Sequence, residues 1–196
     1  IGQYVAQVAG NLLVGAPAAW AISRLRFRGR SMVRGLYIVL MLLPFQVTMV
    51  PSYLVLRQFG LLDTPWAIIL PGIFSTFPVF IMERGFDTVP RELLESASID
   101  GANQWQRFWR IGIPLGIPGL RSALTLGFLD AWNAIEQPMT FLESPQYWPL
   151  SLFFTDPANL DTKQLGLAMA ASLWMLLPSI LAFRFGQTYL EAGLTK

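Results

Sequence analysis

Four side chains in one short stretch, "LDAWNAIE" over residues 129–136, have the types that move protons or hold polar solutes: Asp130, Trp132, Asn133 and Glu136. Asp130, Asn133 and Glu136 stand at i, i+3 and i+6, so on a helix they share one side, with Trp132 beside them. Two carboxylates can relay a proton or hold a cation, whereas an amide and an indole face suit hydrogen bonding and stacking on a neutral solute. The remaining inventory is narrow. The chain has no Cys and no His, which excludes disulfides, thiolate nucleophiles, imidazole bases and the usual zinc ligand sets. No catalytic, metal or cofactor constellation is read from it. No G-x-x-x-x-G-K-[ST] occurs, so the chain holds no P-loop with which to bind and hydrolyse ATP.

The elements that must position those residues are membrane spans. Of 196 residues, 54% are hydrophobic and 13% charged, roughly half the charge of an ordinary soluble domain. A spanning helix needs about 20 predominantly apolar residues. Five windows qualify, over 1–22, 33–56, 66–86, 115–139 and 164–190, and an all-α polytopic bundle is expected. No window resembles a cleavable signal peptide. The net charge of +2 is carried by arginines that flank apolar runs, which reads as membrane topology and not as a nucleic-acid footprint. Arg24, Arg26, Arg28, Arg30 and Arg34 lie in one connector, Arg84, Arg91, Arg107 and Arg110 in another, and Lys196 ends the chain, against only Arg57 and Lys163 on the opposite side. By the positive-inside rule the two basic connectors and the C-terminus are cytoplasmic and Ile1 begins outside. A further span ahead of Ile1 is therefore expected. Arg121 and Arg184 lie toward the cytoplasmic ends of their windows and can snorkel.

The spans are not plain anchors. Gln3, Gln7 and Asn11 recur every four residues, a polar stripe that should face other helices or a watery cavity. Pro44 and Pro51 lie seven apart on the second span, and Pro71 and Pro78 repeat the spacing on the third. The spacing fits either kinked packing or a bundle that has to flex. In the fourth span, Asp130 and Asn133 either line a cavity or sit in packed structure, and Glu136, next to Gln137-Pro138, either joins them or meets water at the outer boundary. The outer connector from Phe141 to Lys163 contains Glu143, Tyr147, Trp148, Pro149, Phe153, Phe154 and Asp156, a composition that fits an interfacial aromatic belt or a docking surface for an external partner.

Between the third and fourth spans the apolar pattern breaks for "ELLESASIDGANQWQRFWRIGIP", residues 92–114. Pro90 suits a helix start, and Glu92 and Glu95 fall in its positively polarised first turns. Leu94, Ala97, Gly101, Trp105 and Phe108 step by three or four and predict one apolar face. Asp100-Gly101 is a turn signal that splits the segment into two short helices. Such a split amphipathic element either lies in the headgroup layer or, with the Gly101 turn ringed by Glu92, Glu95 and Asp100, gives the shape of a socketed contact with another protein.

Glu95-Ser96-Ala97, three residues, Gly101, nine residues, then Ile111-Gly112-Ile113-Pro114 resembles the cytoplasmic "EAA" loop of permease subunits of ATP-binding-cassette importers. That signature reads Glu-Ala-Ala, three residues, Gly, nine residues, Ile, any, Leu, Pro. This chain departs from it at Ser96 and Ile113, both modest changes. "AISRLRFRGR", "LDTPWAIILP", "WNAIEQPM" and "YLEAGLTK" are similar to the maltose-type, carbohydrate-importing branch, so the likeness runs the length of the chain. It implies a single permease domain over 1–196 of the type I importer kind, with five of six core spans present and the first missing. It implies a cytoplasmic coupling segment over 88–113 and, as residues that couple to the ATPase, Glu92, Glu95, Ala97, Asp100, Gly101, Ala102, Ile111 and Pro114. It further implies a homologous second permease, two ATPase subunits, an extracytoplasmic solute-binding protein, and a lipid setting in a bacterial or archaeal cytoplasmic membrane. The solute would be a carbohydrate, taken near mid-bilayer with Asp130, Trp132, Asn133 and Glu136 as candidate contacts. Two rivals remain open on the residues alone: a gradient-driven transporter using Asp130 or Glu136, and a membrane-embedded enzyme resting on the same carboxylates.

Overall fold

The computed structural model describes residues 2–153 and 165–194; Phe154, Asp156 and Lys163 of the outer connector and Lys196 of the tail lie outside the described residues. Helix α1 runs Gly2–Arg24, α2 Arg30–Leu42 and α3 Phe45–Gln58. Helices α4, Trp66–Ile73, and α5, Thr76–Asp87, follow, then the short α6, Arg91–Ile99. Helix α7, Gln104–Arg107, passes through a π turn, Phe108–Gly112, into α8, Ile113–Asn133. The chain closes with α9, Glu136–Phe141, a 3-10 turn at Pro145–Tyr147, α10, Leu150–Phe153, and α11, Leu165–Leu194. Among the described residues there is no strand. Gly2–Arg24, Trp66–Asp87 and Gln104–Asn133 are long and apolar enough to cross a membrane, and the bent pair α2 and α3 makes a fourth if counted as one span. The fifth expected span corresponds to α11, whose described apolar portion is Ser172–Arg184.

Three of the expected spans differ from straight rods, each for a local reason. The window 33–56 is broken, with α2 and α3 at 102° to each other. Pro44 supplies no N–H and its ring excludes a helical carbonyl four residues back. It also drives Leu43 into extended backbone at ψ 126°. The window 66–86 is interrupted at Phe74 and Ser75, just ahead of Pro78. The window 115–139 is shifted: its helix starts at Gln104, because Arg107 and Arg110 are helical despite their charge, and stops at Asn133, where Ala134 turns extended. The π turn lies directly before Pro114, and the Ile113 N–H reaches back five residues to the Phe108 carbonyl. Widening the helix there accommodates a proline that could not make the ordinary bond.

Helices α1, α5 and α8 form the centre. At the Arg-rich end they enclose Trp20, Met82, Phe86, Val89, Phe108 and Leu120, with Trp20 against Phe86 at 5.4 Å between ring centroids and against Phe108 at 5.8 Å. Helices α5 and α8 cross at Gly85 and Gly119, where a Cβ added to Gly85 would lie 2.6 Å from the Gly119 Cα. Small residues that let two backbones touch are how helices associate where lipid offers no hydrophobic drive. A buried charge stitches α2 onto this core: Glu83, 3% exposed, pairs with Arg34, which also reaches Asp87 at 3.4 Å. At the other end a smaller group holds Tyr4, Ala131 and Trp132, and a third, around Phe141, Leu142, Ile68 and Leu56, joins α3, α4 and α9.

Candidate functional site

Two constructions stand out, one at each level of the bundle. The first is α6 and the turn that ends it. Helix α6 begins at Arg91 with Pro90 as its cap residue and Glu92 in the first turn. Only Leu94 of its side chains is buried, and it inserts into the cluster with Trp20, Phe86 and Phe108. Glu92, Glu95 and Asp100 are exposed. Gly101 adopts φ +83°, a left-handed backbone that L side chains rarely take, with nothing within 4 Å of an added Cβ. The Ala102 N–H donates to the Ala97 carbonyl at 2.9 Å and the Gly101 N–H to the Ser98 carbonyl at 3.1 Å, the paired bonds of a Schellman ending. Asn103 then starts the next helix with a reciprocal capping box: its Oδ1 accepts from the Gln106 N–H, and Gln106 Oε1 accepts from the Asn103 N–H, each at 2.8 Å. A turn so completely hydrogen-bonded is a rigid knuckle, not a loose loop.

The structure redistributes the expected apolar face. Leu94 and Phe108 are buried and Ala97 is half-buried, but Gly101 is exposed and Trp105 is 62% exposed, touching Phe108 only by its edge. The face is broken because the chain reverses at Gly101, so periodicity counted across that turn no longer describes one helix. Of the remaining expected coupling residues, Ala102 is half-buried under the turn, Ile111 packs against the aromatic cluster, and Pro114 is exposed at the start of α8.

The second construction is a cavity of about 630 Å³ between α1, α2, α3, α4, α5, α8 and α9. Gln7, Thr48, Ser52, Ser75, Thr76, Asp130 and Gln137 give it polar groups, and Phe45, Phe74, Phe77 and Phe141 give it rings. Its wall includes the residues at every break in the surrounding helices: Leu43, Phe74, Ser75 and Ala134. Interrupted helices are tolerated at membrane depth where they line a cavity or are buried in protein. One interruption is also held from the side. Asn11, 4% exposed, donates its amide to the carbonyls of Gly72 at 3.4 Å, Ile73 at 2.9 Å and Ser75 at 3.1 Å, replacing donors lost where α4 ends. Gln7 stands over Gly72, which has no Cβ to exclude it, and its Oε1 is buried without a partner beside Asp130 in a small adjoining space of about 20 Å³. Gln3 reaches the Tyr147 carbonyl at 3.5 Å. The stripe of Gln3, Gln7 and Asn11 thus faces other helices and the cavity, as its spacing predicts.

The four candidate solute residues do not converge. Asp130 lines the cavity. Trp132 is 5% exposed, donates its Nε1–H to the Met175 carbonyl at 3.0 Å and stacks on Phe128 at 5.7 Å, lining a different space. Asn133 bonds back to the Leu129 carbonyl of its own helix at 2.8 Å. Glu136 lies past the helix break and accepts from Gln46 Nε2 at 2.7 and 2.9 Å, a clamp between α9 and α3. Three functional-looking groups were not picked out by sequence reasoning. Glu83 sits as an acid inside an apolar window, a signal in itself. Gln46 and Asp63 carried none. Asp63, at φ 55°, accepts from the N–H groups of Glu143 and Ser144 at 2.9 and 2.7 Å and from the Ser144 hydroxyl at 2.5 Å. Those donors, the hydroxyl foremost, hold its carboxyl below the ordinary carboxylate range.

Comparison with known proteins agrees with this architecture. The chain is 31% identical to the inner membrane ABC transporter permease protein YcjP of Escherichia coli (strain K12) over 94% of its length and 66% of that protein. It is 31% identical to the diacetylchitobiose uptake system permease protein DasC of Streptomyces coelicolor over 97% of its length and 70% of that protein. In structure it is similar to a chain from a bacterial ABC transporter involved in the import of the acidic polysaccharide alginate, with a TM-score of 0.80, 26% identity, and coverage of 95% of this chain and 71% of that one. The chain spans 64–66% of the length of the first curated relatives it matches. The pattern of the binding-protein-dependent transport system inner membrane component matches residues 11–196, and the chain belongs to that family.

Proposed function

We propose that the chain is the pore-forming permease half of an ATP-driven carbohydrate importer, moving solute from an extracytoplasmic binding protein to the cytoplasm by alternating access. The observation that carries this reading is the α6 knuckle: an exposed acidic turn with no side chain over Gly101, rooted through Leu94 in the ring cluster of α1, α5 and the π turn. A push on the exposed surface of α6 is passed to Trp20, Phe86 and Phe108 together, and so to three helices at once. Close-packed cores transmit displacement because they do not compress. The broken helices at Leu43, Phe74 and Ala134 border the solute cavity and supply places to bend. The Arg-rich connectors, α6 and the C-terminus face the cytoplasm, Glu95 and Asp100 meet basic groups on one of two ATPase subunits, and a second permease completes the path. ATP hydrolysis belongs to those subunits.

The solute class follows from the cavity and the relatives. Hydroxyl, amide and carboxylate groups beside phenyl rings match the alternating polar and apolar faces of sugars, and DasC and the alginate importer carry saccharides in their descriptions. Asp130 and Gln7 are the groups we assign to solute hydroxyls; Asn133 and Glu136 tune the cavity's outer mouth. The test is uptake by the full-length permease reconstituted with its partner subunits and binding protein. ATP-dependent sugar uptake that is lost in Gly101→Val and Glu95→Lys, with the complex still inserted, supports the reading. Uptake that persists without the ATPase subunits and collapses with an ion gradient would replace it with gradient-driven transport through Asp130.

A further inference from the structure

A pocket of about 470 Å³ opens at the Arg-rich end, between the last turn of α1, the α1–α2 connector, α6 and the start of α7. Its wall carries Arg24, Arg26, Arg30, Arg91 and Arg107 against one carboxylate, Glu95. Arg24 is held by the carbonyls of Phe86 and Val89, and Arg30 by those of Ile22 and Ser23. Carbonyl partners orient a guanidinium but leave its charge uncancelled. Asp87, on neighbouring α5, offsets part of the Arg24 charge and is also engaged by the Ser23 hydroxyl at 2.7 Å and by Arg34. Two residues of the wall each carry a buried N–H without an acceptor: Trp20, 4% exposed, at Nε1, and Arg107 at Nε. Both of these buried unpaired groups are donors, and the arginines of the wall outnumber its one carboxylate. The complement is an anion with several acceptor oxygens.

We propose that this pocket binds the phosphate of an anionic phospholipid headgroup from the cytoplasmic leaflet. It lies where α1 and the Gln104–Asn133 span end, the level at which a spanning helix meets headgroups. The segments forming its wall also carry exposed rings, with Phe27 between Arg26 and Arg30 and Trp105 and Trp109 flanking Arg107, the composition of an interfacial belt. Free phosphate needs no such belt, and anionic leaflets attract basic residues at this depth. Because Arg91 and Glu95 belong to α6, a seated headgroup braces the coupling knuckle against α1. The inference rests on the membrane placement proposed above and not on the solute or on ATP coupling.

The experiment incubates the delipidated, full-length permease complex with vesicles of equal parts phosphatidylcholine and phosphatidylglycerol, and counts retained lipids by native mass spectrometry. Neither sugar, binding protein nor ATP is present, so failure here leaves the uptake reading standing, and the reverse. Wild type is expected to keep phosphatidylglycerol selectively. Arg26→Gln with Arg91→Gln, two exposed side chains, should cut that preference by at least about tenfold. Trp20→Phe, which keeps a ring but removes the unmet N–H, should weaken it by a smaller factor. Arg28→Gln with Arg84→Gln removes the same charge outside the pocket and should leave the preference intact. Equal loss in both arginine pairs would reduce the effect to general surface charge and overturn the site. Displacement of the lipid by millimolar inorganic phosphate, or by adding the ATPase subunits to the isolated permease, would give the pocket to free phosphate or to an ATPase carboxylate and overturn the lipid assignment.

Discussion

At the Arg-rich end, Trp20, Phe86 and Phe108 interlock within 6.1 Å of one another, and the Gly85–Gly119 crossing brings two backbones into contact. Around the cavity, three helices are interrupted, polar groups face inward, and single side chains such as Asn11 and Glu136 bridge the gaps by hydrogen bonds. The first region resists deformation because its contacts are dense and apolar, so any displacement costs many small contacts at once. The second concentrates its cohesion in a few directional bonds that can be exchanged for others, or for a solute, at modest net cost. The function proposed above, a push at one level that opens a path at another, would use this division: a stiff receiver for the push and a soft region to reshape.

Breaking the stiff region should have the largest effect. Gly119→Leu places a side chain against the Gly85 backbone, which cannot rotate away as a side chain can. Overpacking commonly costs about 1–3 kcal/mol, and a clash with backbone belongs at the top of that range or beyond it. We expect loss of folded protein in membranes, read by size-exclusion profile and thermal melting in detergent. A well-folded, active Gly119→Leu would show that α5 and α8 do not depend on this crossing. Leu94→Ala should be milder for the fold, about 2 kcal/mol, the low end for a buried Leu, because Leu94 sits at the rim of the cluster at 9% exposed. On the proposed reading it should still uncouple solute-stimulated ATPase activity from uptake, since it removes the buried root of α6.

The knuckle itself is sharpened by substitutions that leave the core alone. Gly101→Ala meets no neighbour but must hold φ +83°, at about 1–2 kcal/mol for an L residue. Gly101→Asn adds bulk where a partner is expected to approach, yet Asn tolerates a left-handed backbone better than Ala does. The strain-only reading predicts uptake in Asn at least equal to that in Ala; the contact reading predicts that Asn is far worse. Uptake measured for the pair, with melting temperatures, separates the two. In the soft region, Asn11→Leu removes a donor shared by three carbonyls at the end of α4 and should cost about 1–3 kcal/mol. Asn133→Leu loses only a bond to its own helix and should leave the melting temperature nearly unchanged. An equal stability loss from both would undo the claim that Asn11 is the brace.

These regions were unequally legible in the sequence. The knuckle could be read because its signals are local: Asp100-Gly101 marks a turn, and a Schellman ending and a capping box are made by residues within a few positions of one another. The bend at Pro44 was announced by the proline, but not its 102° angle, because the size of a bend depends on what α3 packs against after it. Hydropathy windows excluded Arg107 and Arg110 from a helix they belong to, since a helix leaving a membrane carries its charges with it. The scatter of Trp132, Asn133 and Glu136 into three different roles was invisible, because i, i+3, i+6 spacing describes a face only while the helix continues, and this one stops at Asn133. Partnerships such as Glu83 with Arg34, or Asp63 with Ser144, join residues far apart in the chain and have no local signature.

Asp63 gives the smallest and most specific test of the boundary around the cavity. It ties the α3–α4 connector to the segment after α9, accepting three hydrogen bonds while its own N–H donates to the Phe141 carbonyl at 2.9 Å. Its folded-state pKa is depressed, chiefly by the Ser144 hydroxyl and then by backbone N–H groups. A carboxylate depressed in the folded state binds protons less readily there than when unfolded, so its stabilisation is fully present above the ordinary carboxylate pKa and is lost as pH falls through the lower, folded value. Asp63→Asn is the right probe because Asn tolerates the left-handed φ of 55° that Ala would strain, and its side-chain oxygen still accepts from the backbone. What it removes is the charge. Wild type should therefore melt slightly higher than Asp63→Asn at pH 7, and the gap should close as the buffer is taken from about pH 5 toward pH 3, the range where an ordinary carboxylate and then a depressed one take up protons. A gap that stays constant across that range would mean that the clamp works through shape and neutral hydrogen bonds alone, and that charge plays no part in fastening the outer connector over the soft half of the bundle.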